Sequence, residues 1–429
     1  MKLLIKGARL LDPANGVDRI ADLLVNGETV EAVATNLIAD ENTEVIEAFG
    51  KLLIPGLVDI HVHLREPGRE HKETILTGGR AAAAGGFTAV CAMPNTAPPM
   101  DSSEVLALFA EKAQASPVRS FPIAAITKGQ LGMELTDAEE LVASGAVAFS
   151  DDGEPVKNAA ILLRALQLSE KHGRPLILHC EDKDLAGKGA MHEGTRSREL
   201  GIAGIPGASE DAMVGRDLAI AASTSAHVHI AHVSTAISLG LIRQAKTAGV
   251  KVTCEVTPHH LTLTHDAVNP TATETKMNPP LRTQEDMDAL RAGLLDGTVD
   301  CIATDHAPHH ADEKNDGYSK APFGIVGLET ALPVLMTDLV ETGLIPLPRL
   351  IQLMTASPAA ILGIPCGGLF PGALADLTLV DTSLKKVVDV ERFYSKSTCT
   401  PYAARELSGW PVLTVVSGKA VMKEGVVHA

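Results

Sequence analysis

The strongest constraint on this chain is a serial alternation. Short apolar runs at Leu57 to Ile60, Thr88 to Met93, Ser120 to Ala125, Ala146 to Ser150, Pro175 to His179, Val228 to His232, Lys251 to Val256 and Asp300 to Thr304 are separated by Ala/Leu-rich helical stretches. An uninterrupted βα series predicts a parallel sheet. Eight units point to an α/β fold of the (β/α)8 TIM-like barrel type, although a doubly wound open sheet satisfies the same pattern. Composition agrees: 45% of residues are hydrophobic but only 3% aromatic, so the core is built from Ala, Val, Leu and Ile, which suits parallel strands wrapped by helices. The segment Ala81-Ala82-Ala83-Ala84-Gly85-Gly86 reads as a helix ending in a glycine cap just before the second run.

The two ends of the chain have a different texture. Leu3-Leu4-Ile5, Asp22-Leu23-Leu24-Val25, Thr29-Val30-Glu31-Ala32-Val33 and Thr43-Glu44-Val45-Ile46 are short β-like pieces punctuated by turns at Asp12-Pro13 and Asn26-Gly27. Similar pieces return at 375–380 and 412–421. The expectation is a small composite β domain formed by 1–54 plus 366–429, with the barrel occupying 55–365. The apolar run 52–58 is read as one strand leading into the barrel.

A net charge of −16 argues against nucleic acid or an anionic membrane as partner. An anionic substrate stays compatible, because salt screens exposed charges beyond about 8 Å. The six cysteines are scattered without a CxxC, as expected of a cytoplasmic protein without a disulfide framework. No signal peptide is evident, since Lys6-Gly7 interrupts the apolar start, and no segment has the length and apolarity of a membrane span.

Polar groups gather where the predicted strands end, the face on which barrel enzymes place their sites. His61 and His63 follow strand one, Asn95 strand two, Asp151 and Asp152 strand four; His179 closes strand five, His232 closes strand six, and Asp305 follows strand eight. Strand alternation sends His61 and His63 to one side, either as two metal ligands or as two hydrogen-bonded core residues. Four imidazoles and at least two carboxylates on one rim form a set suited to one or two zinc-like ions.

These residues carry a resemblance. Asp59-Ile60-His61-Val62-His63-Leu64-Arg65-Glu66-Pro67-Gly68 resembles the first signature of dihydroorotases, and Ala303-Thr304-Asp305-His306-Ala307-Pro308-His309 followed by Lys314 resembles the second. Met93-Pro94-Asn95-Thr96, Phe149-Ser150-Asp151-Asp152-Gly153, His179-Cys180-Glu181-Asp182, His229-Ile230-Ala231-His232-Val233-Ser234, Lys276-Met277-Asn278-Pro279-Pro280-Leu281-Arg282 and Pro322-Phe323-Gly324-Ile325 are similar to the bacterial long-chain (type I) form, within the amidohydrolase superfamily. The likeness runs over essentially the whole chain. It implies reversible interconversion of N-carbamoyl-L-aspartate with dihydroorotate and water, in pyrimidine biosynthesis.

Carried over position by position, the resemblance makes His61, His63 and Asp305 ligands of one Zn2+, His179 and His232 ligands of a second, and Asp152 the bridge. Many superfamily members bridge with a carboxylated lysine, but the nearest lysine here is Lys157, beyond the loop. The choice of Asp152 over Asp151 rests on the resemblance alone. It further implies a zinc-bound hydroxide as nucleophile, with Asp305 as general base and then general acid. Arg65 and Asn95 would hold the substrate carboxylate, with His309 as a further contact and His63, Asn278, Phe323 and Gly324 touching the ring. A homodimer and a complex with aspartate transcarbamoylase are left open, as is occupancy of one or both metal positions.

Other residues receive plainer readings. His259 and His260 are expected to be structural or to lie behind the ligands, His229 to be packed, and Cys180 to be a small buried residue lacking a base. His71, His172, His192, His227, His265, His306, His310 and His428 are read as surface or packing residues. Tyr318 lies in a polar loop, 311–320, that would close over the site. Two alternatives compete: another cyclic amidohydrolase such as a hydantoinase or allantoinase, opposed by Arg65, Asn95 and the stretch from Asp305 to Lys314, and an inactive scaffold for aspartate transcarbamoylase, opposed by the intact ligand set.

Overall fold

The computed structural model describes residues 2–428. All the expected runs form parallel strands, numbered one to eight: Leu57–Val62, Phe87–Ala92, Arg119–Pro122 continued by Ala124–Ala125, Phe149–Ser150, Leu176–Leu178, Val228–Ile230, Val252–Val256 and Cys301–Ile302. Strands one to three pair in order, and the second half of strand three continues the order through to eight. Between strands eight and one the ring closes: Val62 bridges His306 in parallel and the His63 N–H donates to the His306 carbonyl at 2.8 Å. The sheet is therefore a closed barrel rather than an open doubly wound sheet. Several strands are shorter than their apolar runs because the chain leaves its ladder at the rim; Pro175 to His179 contracts to Leu176–Leu178.

Helices cover the outside. One apolar cluster joins strand residues Val90, Phe149, Leu178, Ile230 and Val256 to helix residues Leu106, Leu166, Leu218, Leu239 and Leu290. Alternation then turns His229 and Glu255 the other way, into the barrel. This polar interior lies directly beneath the rim.

The chain ends build a second sheet, of nine strands. Its N-terminal part comprises Lys2–Asp12, Val17–Asn26, Thr29–Ala34, Thr43–Glu47 and Leu52–Pro55; its C-terminal part comprises Leu377–Val387, Glu406–Val416, Lys419–Lys423 and Val426–Val427. The ends meet where Leu52–Pro55 runs antiparallel to Leu377–Val387, with Leu53 opposite Leu379. Lys6-Gly7 is a bulge within the first strand, where the register shifts between Ile5 and Ala8. The run 52–58 is two strands, not one: it divides at Gly56, where a Cβ would lie 2.1 Å from Thr88 Oγ1, so the chain can step from the outer sheet into the barrel only without a side chain there. Between Val387 and Glu406 the chain crosses onto the barrel, where the Cys399 carbonyl accepts from the Val326 N–H at 2.9 Å. Among the described residues no helix is long and apolar enough to cross a membrane, and all six cysteines are free.

Candidate active site

The residues singled out at the strand ends converge on one cavity of about 480 Å³ at the C-terminal rim. His63 Nε2 lies 3.0 Å from Asp305 Oδ1 and 3.5 Å from Asp152 Oδ2, while His61 Nε2 lies 3.5 Å from both Asp152 Oδ1 and Asp305 Oδ1. From the opposite side, His179 Nδ1 and His232 Nε2 stand 3.7 and 3.8 Å from Asp152 Oδ1, and 2.8 Å from each other. All six side chains are buried. Arg65, His232 and Asp305 hold left-handed backbone angles, with φ of 62°, 33° and 48°. Non-glycine residues adopt that region at a cost, and such strain concentrates where a side chain must be aimed.

This donor set fits a zinc-like ion. His61 Nε2 and Asp152 Oδ1 are buried with no hydrogen-bond partner among the described residues, a costly arrangement for two polar atoms unless something else engages them. His61, His63 and Asp305 form one group whose ligand atoms lie within 4.8 Å of one another, and His61, Asp152 and His232 form another. The first matches the expected trio. The second draws in His61 where the resemblance places His179, whose Nε2 instead lies 3.5 Å from Glu181 Oε2. Asp151 is otherwise engaged: its carboxylate accepts from the Ile126 and Thr127 N–H groups and the Thr127 hydroxyl, so it faces the strand-three loop while Asp152 faces the cavity. Burial works against ionisation of Asp305, yet His63, His61 and His232 hold its carboxyl down to about 2. It is thus an acceptor near neutrality.

The facing wall is cationic. Burial lowers the Arg65 guanidinium to about 10, still charged at neutral pH; its Nε donates to the Pro308 carbonyl at 3.2 Å and a terminal nitrogen lies 3.3 Å from His309 Nε2, with no carboxylate as hydrogen-bond partner among the described residues. Burial and the charges of Arg65 and Lys72 push His309 down to about 2, so it is neutral. Lys72 Nζ donates to His309 Nδ1 at 3.3 Å, which leaves the ring proton on Nε2 to bond the Phe323 carbonyl at 2.9 Å. Asn95 accepts from His63 Nδ1 at 2.9 Å, freeing its amide N–H groups for the cavity. Lys314, from the second signature, is buried and donates to the carbonyls of Gly324 and Pro322 at 2.8 and 3.0 Å. It thereby fixes the turn carrying Phe323 and Gly324, where a Cβ on Gly324 would lie 2.6 Å from the Ala307 carbonyl.

Sequence reasoning missed several contributors. Glu255, inside strand seven, receives the Nδ1–H of His61 at 2.5 Å; a glutamate within an apolar strand was the signal available. Glu181 accepts from Asn278 Nδ2 at 3.1 Å, and Lys183, Ala186, Gly187, Gly189 and Ile205 line the cavity from an excursion after strand five that carried no motif. Tyr318 differs from expectation: it is 4% exposed, packs with Met191, Ile202 and Val268, and donates to the Thr275 carbonyl, so it anchors its loop. His306 is fully interior, 3.4 Å from Glu73. His259 and His260 sit in the short helix Pro258–Thr262 outside the cavity lining, with His260 bonded to Thr257 and the Pro279 carbonyl. Cys180 lies 3.4 Å from Asp217, and burial pushes its thiol up, which suits no nucleophile.

Solved structures share this arrangement of barrel and β domain. The L-hydantoinase (dihydropyrimidinase) of Arthrobacter aurescens superposes with a TM-score of 0.89 at 26% identity, covering 100% of this chain and 97% of that one. The D-hydantoinase of a Thermus species superposes with a TM-score of 0.83 at 26% identity, covering 100% and 96%. Fold, rim and donor set together define a metal-dependent cyclic amidohydrolase. A family model described as Dihydro-orotase-like matches residues 50–238. Dihydroorotases of Pelotomaculum thermopropionicum and Geobacter metallireducens are 50% and 49% identical, over 100% and 99% of this chain and 100% of each relative. The chain belongs to the dihydroorotase family.

Proposed function

We propose that this chain interconverts N-carbamoyl-L-aspartate and (S)-dihydroorotate plus water, as a step of pyrimidine biosynthesis in the cytoplasm. The observation that carries the substrate assignment is the buried Arg65 guanidinium, unpaired with any carboxylate among the described residues and facing the imidazole–carboxylate cluster across one cavity. A planar fork of this kind takes a carboxylate in two-toothed fashion. Asn95 adds an amide donor and His309 a further contact, while Asn278, Phe323, Gly324 and His63 line the space left for the ring.

His61, His63, Asp152, His179, His232 and Asp305 would hold one or two zinc ions, which would supply Lewis-acid polarisation of the carbonyl and a water of lowered pKa. Asp305, ionised and at the cavity wall, takes the proton of the attacking water and returns it to the departing ring nitrogen. In the synthetic direction the same carboxylate runs these transfers in reverse. The division into 1–54 plus 366–429 and a barrel of 55–365 belongs to the same reading, supported by the pairing of Leu52–Pro55 with Leu377–Val387. A homodimer and assembly with aspartate transcarbamoylase are further proposals, which sizing chromatography of the protein alone and mixed with that enzyme tests.

The deciding experiment assays a purified, metal-analysed sample with dihydroorotate, dihydrouracil and allantoin side by side. Turnover of dihydroorotate is expected; turnover of dihydrouracil or allantoin without it overturns the reading.

A further inference from the structure

The interior of the barrel holds a chain of hydrogen bonds that the reaction itself does not call for. His227, at the start of strand six, has Nε2 2.8 Å from Thr253 Oγ1. The same hydroxyl lies 2.8 Å from His229 Nδ1. His229 Nε2 lies 3.1 Å from Glu255 Oε2, and Glu255 Oε1 lies 2.5 Å from His61 Nδ1. Glu255 also accepts the His232 backbone N–H at 3.2 Å. His61, His229 and Glu255 are each 0% exposed, whereas His227 lines a separate cavity of about 480 Å³ with Arg174, Ser225 and Lys251, residues that flank the N-terminal ends of strands five to seven.

The direction of every bond in this chain follows from its middle. An ionised carboxylate only accepts, so both His61 Nδ1 and His229 Nε2 carry hydrogen. A neutral imidazole that donates from Nε2 accepts at Nδ1, so the Thr253 hydroxyl donates to His229. Having spent its one hydrogen there, that oxygen accepts from His227 Nε2. At the other end, His61 with hydrogen on Nδ1 has a lone pair on Nε2, the buried atom left without a partner and turned toward Asp152 and Asp305.

We propose that the chain His227–Thr253–His229–Glu255–His61 is a positioning device that fixes the tautomer and ring orientation of His61 as a metal ligand, with Glu255 as its pivot and Thr253 as the relay's directional link. This rests on the metal-dependent reading of the site. Carboxylates behind ligating imidazoles orient the ring and raise its basicity, and their loss costs about 10- to 100-fold in metal affinity. Glu255 does this for one ligand by its side-chain bond and for His232 by holding the backbone.

The test compares zinc affinity, by competition with a chromophoric chelator, in the parent protein and in Glu255→Gln, Thr253→Val and Thr253→Ser. Ring 1H–15N spectra of the zinc-loaded proteins report the His61 Nδ1–H. Expected are a loss of about 10- to 100-fold for Glu255→Gln, a smaller but measurable loss for Thr253→Val, and restoration by Thr253→Ser, with the Nδ1–H resonance shifted in the first two. Zinc affinity in Thr253→Val equal to that in Thr253→Ser and the parent, with an unmoved resonance, overturns the relay even where Glu255→Gln does not fold. A folded Glu255→Gln that holds zinc within twofold of the parent overturns it as well. A parent protein that binds no zinc removes the metal reading itself, and is told apart because it shows before any variant is made.

Discussion

The two walls of the cavity handle their polar atoms in opposite ways. On the imidazole–carboxylate wall, atoms such as His61 Nε2 and Asp152 Oδ1 are buried without partners, and three of the six residues stand less than 4 Å from a single Asp152 oxygen. On the cationic wall nearly every donor is already spent on the protein: Arg65 on Pro308, Lys72 on His309 and Glu313, Lys314 on the Gly324 and Pro322 carbonyls. The first wall is built to receive something that completes it. The second is built to stay rigid while presenting charge, with the terminal nitrogens of Arg65 and the amide of Asn95 at the cavity for a ligand. Under the proposed function the difference separates chemistry from recognition, and substitutions on the two walls are expected to affect different kinetic constants.

The largest effect is expected on the first wall. Asp305→Asn keeps the shape but removes the proton acceptor, so kcat should fall by about 10²- to 10⁴-fold, the usual worth of general acid–base catalysis, with KM much less changed. Steady-state kinetics in both directions checks this, and a near-normal kcat takes Asp305 out of proton transfer. Arg65→Ala comes next. Loss of a charge-assisted hydrogen bond costs about 1.5 to 3 kcal/mol, which converts to roughly ten- to a hundredfold in kcat/KM for dihydroorotate. Any residual turnover of dihydrouracil, which lacks the carboxylate, should be unaffected; an equal loss on both substrates would mean that Arg65 supports the wall rather than reading the substrate.

Lys314→Met tests the rigidity directly. Its ammonium touches no ligand position but ties down the Phe323–Gly324 turn, so KM should rise about five- to thirtyfold with kcat nearly kept. A variant that loses kcat and keeps KM would place Lys314 in the chemistry instead.

How much of this was legible in the sequence differs between the walls for a physical reason. Side chains that gather at one rim must leave the ends of parallel strands, so the proposed ligands His61, His63, His179, His232 and Asp305 advertise themselves as polar residues closing apolar runs. Asp152 could not be told from Asp151 because the strand ends before both, and only the loop contacts of Asp151 separate them. The cationic wall is assembled from segments far apart in sequence, where Lys72 meets His309 across a span of 237 residues, and no periodicity reports such a meeting. The excursion lined by Gly187, Gly189 and Ile205 escaped notice for the same reason, as did the packing that buries Tyr318. Glu255 was within reach: a carboxylate in a fully buried strand needs partners, and His229 and His61 are those partners.

The finest probe of the second wall is its response to pH. Lys276 is buried behind Phe323, with Nζ 4.7 Å from that ring and 3.1 Å from the Ser319 carbonyl, and it has Lys314 as its charged neighbour. Burial first, and Lys314 second, lower its ammonium to about 8 from an ordinary 10.5. The folded state thus releases this proton more readily than the unfolded chain does. Below about pH 8 both states carry it and folding bears the cost of a buried charge; as the pH rises from about 8 toward 10.5 only the unfolded chain still binds it, and that cost is relieved. Lys276→Met has no proton to release there. Denaturant midpoints measured from pH 7 to 10.5 should therefore show the parent gaining stability relative to Lys276→Met over that window. A difference between the two proteins that stays flat, or falls, would mean that this lysine keeps its proton, and that the cationic wall holds its charges together more tightly than its burial implies.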